Sequence, residues 1–229
     1  MTRLTKLLAP VGLVLAATVA LPAQAQVDGR MASVDVTRTI IGTTAFQTAY
    51  EQVNTTYAQQ NELRRTKAQE RQAMLAKFDT NADKQVDETE QAAMQASADL
   101  PKLQALEQEI QGLSNQIDGA RVYAIEQIIV QYGAALQEVA TADQIKVVID
   151  PATVLFAVPE ADITQKVTAA LNTRVPTVGV VPPAGWQPSR EGAQLYQEIQ
   201  QRLLAAQYAQ AQQQQQATQQ GNTAAPVGR

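Results

Sequence analysis

The sequence predicts an α+β fold: a small β-sheet body with a long α-helical coiled-coil hairpin arm inserted between its strands. Three observations predict it. Short β-like segments at 31–36 and 145–158 bracket two long runs of helix formers. The second run carries apolar residues alternately three and four apart, the mark of a coiled-coil seam. Aromatic residues make up only 4% of the chain, with Gln and Ala in their place, which is thin for a broad globular core.

Residues 1–25 read as a secretory leader. Arg3 and Lys6 precede the apolar run Leu7–Leu21, and Ala23-Gln24-Ala25 is a small-x-small cleavage site. An apolar run of about 15 residues is short for a bilayer span. Cleavage before Gln26, leaving no stable membrane span, is therefore expected over an uncleaved anchor. Loss of Arg3 and Lys6 moves the formal charge from −4 to −6. That balance opposes non-specific nucleic-acid binding, which needs Lys and Arg against phosphates. The chain has no His and no Cys. Ser-His-Asp and Cys-His catalysis and the usual zinc, copper, haem and iron–sulfur ligand sets are thereby excluded.

Residues 31–36 alternate, with Ala32, Val34 and Val36 on one side, as in a short strand. From Gly42 to Phe78 there is no proline, and the thin set of apolar positions (Phe46, Ala49, Tyr50, Val53, Tyr57, Leu63, Met74, Leu75, Phe78) fits a mostly solvated helix. A second helix starts at Pro101, a residue suited to the first turn. Its seam is Leu103, Leu106, Ile110, Leu113, Ile117, Ala120 and Ala124. At 1.5 Å per residue the two helices span roughly 54 and 60 Å, matched lengths for an antiparallel hairpin over 42–142. Gly112, Gly119 and Gly133 weaken it by about 1 kcal/mol each relative to Ala. A compact helical bundle would need more apolar faces than the first helix has.

Residues 145–149 and 153–158 read as two strands around Asp150-Pro151. Asp162 caps a helix over about 163–172, with Val167 and Leu171 one turn apart. The body then comprises 31–41 and 145–175. Residues 176–188 form a Pro-rich extended linker, 189–211 an amphipathic helix with Leu195, Ile199, Leu203 and Ala206 on one face, and 212–229 a Gln-rich tail expected to be disordered. Tyr50, Tyr57, Tyr123 and Tyr132 are read as packing residues rather than a ligand site. Trp186 is expected to dock on the body at a place the sequence does not specify.

Between the arm helices, Asp79, Asn81, Asp83, Gln85, Asp87 and Glu90 fall at the ligand positions of an EF-hand-like loop, with Val86 as its apolar residue. Lys84 stands where the tight turn wants Gly, which strains the loop and opposes a cation. Weak Ca2+ binding, at about 10⁻⁴–10⁻³ M, competes here with a solvated acidic turn. No cofactor is required by any motif. These carboxylates carry no sign of a water-excluding pocket, so no catalytic residue and no enzyme activity is expected.

The leader, short strand, long polar hairpin and closing segment together resemble the OmpH/Skp family of periplasmic chaperones. The likeness is carried by 145–167, with Val147-Val148-Ile149-Asp150 and Asp162-Ile163-Thr164, and by Met31–Ile41. It covers roughly 31–175. The resemblance implies a periplasmic, ATP-independent holdase for unfolded outer-membrane proteins. It also implies a homotrimer with an oligomeric β-barrel body and arms around a cavity. Independently, a three-stranded open sheet has edges that need partners. The chain departs from the family's basic arms: residues 40–140 hold 8 Lys and Arg against 14 Asp and Glu. Client capture then leans on apolar contact and confinement. The alternatives are a periplasmic structural coiled coil without clients, or a calcium-responsive binding protein acting through 79–90.

Overall fold

The computed structural model describes residues 29–83, 85 and 87–223. The leader, Lys84, Val86 and residues 224–229 of the tail lie outside the described residues. The chain is mostly helical, 71%, around a two-stranded sheet. Among the described residues no helix is long and apolar enough to cross a membrane.

Strand β1, Arg30–Ser33, pairs in parallel with β2, Ile145–Ile149, aligning Met31 with Val147 and Ser33 with Ile149. β1 is shorter than the alternation suggests. Asp35 caps helix α1, Val36–Ile41, its Oδ1 accepting from the Arg38 N–H at 2.8 Å, and the cap ends the strand. Thr43 likewise caps α2, Thr44–Thr56.

The first arm helix is not continuous. It breaks at Tyr57 (φ −104°, ψ 25°) and resumes as α3, Ala58–Leu75. The break follows Asn54-Thr55-Thr56, three residues of low helix propensity. Thr55 Oγ1 also donates back to the Glu51 carbonyl at 3.0 Å, a bond that bends helices. An unforeseen short helix, α4 at Glu88–Gln95, caps the tip. Asp87 and Glu90 form its capping box, bonding each other's backbone N–H groups. Helix α5 then runs unbroken over 43 residues, Leu100–Ala142.

The expected strand at 153–158 is absent. Pro151–Thr153 and Pro159–Ala161 are single 3-10 turns, and the chain between them is irregular. A strand needs a ladder, and the far edge of β1 offers one only at its end, where Ser33 bridges Asp162 and accepts from the Ile163 N–H at 3.0 Å. Helix α6, Thr164–Arg174, follows; Asp162 Oδ1 accepts from the Thr164 N–H at 2.9 Å, and Val167 and Leu171 are fully buried.

The segment 175–189 does not behave as a free linker, because it lies along α5. Helix α7, Arg190–Thr223, then buries Leu195 and Ile199. The helix passes beyond residue 211 to Thr223; Gln and Ala are adequate helix formers and no proline intervenes. Three apolar clusters hold the molecule. The largest joins the sheet, α1, α6 and α7 to the end of α5 through Ile40, Ile125, Ile128 and Leu171. A second, at the arm root, contains Ala49, Val53, Tyr57, Ile117 and Ala120. The third, at the tip, is built on Met74, Leu103 and Leu106. Between the last two the arm is polar.

Candidate functional site

Two surfaces stand out: an open edge on the body and the flanks of the arm. On the body, 154–158 is rich in β-formers held out of any sheet. Leu155 and Phe156 are 105% and 86% exposed, with Met31 at 57% and Val158 at 53% beside them. Met31, Ser33, Ile149, Val154, Phe156 and Val158 line a groove of about 340 Å³ next to the free edge of β1. An unpaired strand edge flanked by exposed apolar side chains is a template for association.

The arm presents the opposite chemistry. In α3 only Met74 is buried, and Leu63 is half exposed. The arm cations are largely spent within it. Lys67 Nζ lies 2.9 Å from Glu109, Arg121 3.0 Å from Asp118, Arg65 3.5 Å from Glu62 and Lys77 3.6 Å from Asp99. What reaches solvent is polar, net acidic and sparsely apolar, a surface suited to many weak contacts rather than one tight one.

The loop residues of the proposed metal motif gather at the arm tip between α3 and α4. They bond one another in successive turns: Asn81 Oδ1 accepts from the Asp83 N–H at 3.0 Å, and Asp83 Oδ1 from the Gln85 N–H at 2.7 Å. Ala82 takes the left-handed conformation at φ 61°. Glu90, the last position of the motif, is buried at 2% exposure. Its Oε1 accepts from the Thr80 N–H at 2.7 Å and hydroxyl at 3.0 Å, and its Oε2 from the Asp87 N–H at 3.3 Å. The Thr80 N–H foremost holds the Glu90 carboxyl below its ordinary range. Among the described residues no three acids converge as a metal site. The expectations placed on Lys84 and Val86 fall outside the described residues.

The four tyrosines pack. Tyr50 stacks on Phe46 at 4.1 Å between centroids, under the Arg121 guanidinium, and accepts from Gln200. Tyr123 meets Trp186 edge-on at 5.4 Å. Sequence reasoning missed the anchors of 175–189 on α5. Gln127 exchanges two hydrogen bonds with Gly179, at 2.8 and 2.9 Å. Glu126 accepts from Trp186 Nε1 at 3.1 Å and the Ser189 N–H at 2.6 Å. The lone tryptophan in a proline-rich stretch was the available signal.

A strand edge with exposed apolar neighbours and a long polar arm is thus the geometry to be matched. The family model of OmpH-like outer membrane proteins matches residues 30–171, which is the sheet, the arm and most of α6. The chain belongs to the OmpH-like family. A crystal structure of an OmpH-like outer membrane chaperone from Caulobacter crescentus CB15 is 21% identical, covering 68% of this chain and 92% of that one with a TM-score of 0.40. No curated protein matches the chain. The OmpH-like portion ends before the 175–189 segment and α7 begin.

Proposed function

We propose that this OmpH-like chain is an ATP-independent periplasmic holdase that receives unfolded outer-membrane proteins between the arms of a homotrimer. The observation that carries the reading is the exposed 154–158 segment beside the open edge of β1. Paired head-to-tail with the opposite, β2 edge of the next copy around a ring of three, it closes a barrel and hides Leu155 and Phe156 from water. Fully burying side chains of this size is worth about 1.5–3 kcal/mol each. Three copies would place three arms around one space. Family membership supports the chaperone role, and the arm's scattered apolar positions suit holding without fixing.

The net acidic arm points to apolar contact and confinement as the holding force. Light scattering on residues 26–229 is expected to give three times the chain mass. The same preparation is expected to suppress aggregation of an outer-membrane barrel diluted from urea. A monomer, or a trimer that leaves the aggregation unchanged, overturns the reading.

A further inference from the structure

The arm has two weak points at one level. On one side α2 and α3 break at Tyr57, and α3 starts without a side-chain cap. On the other, the continuous helix α5 carries Gly119, which holds a helix interior less firmly than Ala by about 1 kcal/mol. Tyr57 shares its cluster with Ile117 and Ala120, two residues before and one residue after Gly119. The segment beyond the OmpH-like portion lies over both. Val180 is buried against Val53, Tyr57 and Ile117, and its carbonyl accepts from the Tyr57 hydroxyl at 3.4 Å. The Trp186 ring covers Gly119, where an added Cβ would stand 3.7 Å from Cζ3.

We propose that Val178–Trp186 is a clamp over a hinge formed by Tyr57 and Gly119, and that the arm bends there when the clamp lifts. The clamp is built to be lifted. Much of it is exposed, including Gly179, Val181 and Gly185, so it buries little apolar area. Two adjacent α5 side chains hold it, Gln127 through Gly179 and Glu126 through Trp186 and Ser189. Further on, α7 is fixed independently of the clamp, by Ile199 in the main core and by Arg202 Nη1 at 2.6 Å from Asp35. Lifting the clamp therefore leaves both of its ends attached.

The test is hydrogen exchange on residues 26–229 carrying Glu126→Ala and Gln127→Ala. Both replacements favour helix, so α5 persists. Trp186 is the only tryptophan, and a red shift of its emission reports the lifted clamp. Exchange over 54–60 and 115–121 is expected to rise about tenfold, since several hydrogen bonds including two to a carboxylate are lost. Exchange over α6 should stay unchanged. Adding Gly119→Ala, whose methyl fits at ordinary contact distance, is expected to return part of the protection. Three results overturn the inference: no red shift, a red shift with hinge exchange at the wild-type rate, or a rise shared equally by α6. The measurement needs no client, so it stands or falls apart from the chaperone reading.

Discussion

At the arm tip Glu90 uses both carboxylate oxygens on Thr80 and Asp87, so the turn is formed by the protein's own hydrogen bonds. Replacing Glu90 with Ala is expected to speed amide exchange throughout 79–95 while leaving the arm root unchanged. Exchange of the wild-type tip is expected to be the same with and without a calcium chelator. Calcium at this loop would have to draw Glu90 away from Thr80, which keeps any affinity weak; titration calorimetry at about 1 mM calcium measures it directly. Asp35 gives the pH dependence. Burial pushes its carboxyl up, but the Arg38 N–H and the Arg202 guanidinium together hold it below its ordinary value of 3.8. Asp162 is lowered in the same way, against burial, by Thr164 and Arg38. A carboxylate depressed on folding stabilises above its unfolded pKa, and the contribution is lost as pH falls through the folded value. Urea midpoints are therefore expected to hold down to about pH 4 and to drop below it. Asp35→Asn, which keeps the helix cap, should flatten that drop.

Among the elements, the arm depends on two apolar knots with a polar stretch between them. Ile117 is 1% exposed in the root cluster. Ile117→Ala is expected to cost about 2–5 kcal/mol, read from urea unfolding at fixed protein concentration. Leu63, half exposed in the polar stretch, is expected to change stability by less than about 0.5 kcal/mol when cut to Ala. Equal effects would mean that the seam is uniform along the arm. The capping box that starts α4 was legible as Asp87-x-x-Glu90. It was overlooked because the same residues also satisfy a metal-loop pattern, and the two readings use the same oxygens.

For the whole molecule, the proposed association and the proposed client holding call on different surfaces and separate experimentally. Phe156→Asp places a charge in the middle of the exposed 154–158 segment, where the free chain has room for it. Light scattering is expected to show the loss of the proposed trimer while circular dichroism retains the helices. Client holding is expected to survive a rise to about 0.5 M salt, at which screening cuts exposed charge interactions to a few ångströms. A strong loss would instead assign the capture to the acidic flanks.

The sequence by itself determined the α+β class, the hairpin between two body segments, the seam of α5 and the family. These are recorded in period, composition and short local motifs, which need no partner to be read. Only the tertiary structure decided that 153–158 is not a strand, because a ladder depends on which edge lies alongside. It likewise decided that the first arm helix breaks at Tyr57, where a run of weak formers competes with packing across α5. The docking of 175–189 was illegible for the same reason. Its anchors, Glu126 and Gln127, lie about 50–60 residues away and look like ordinary solvated positions of a polar helix.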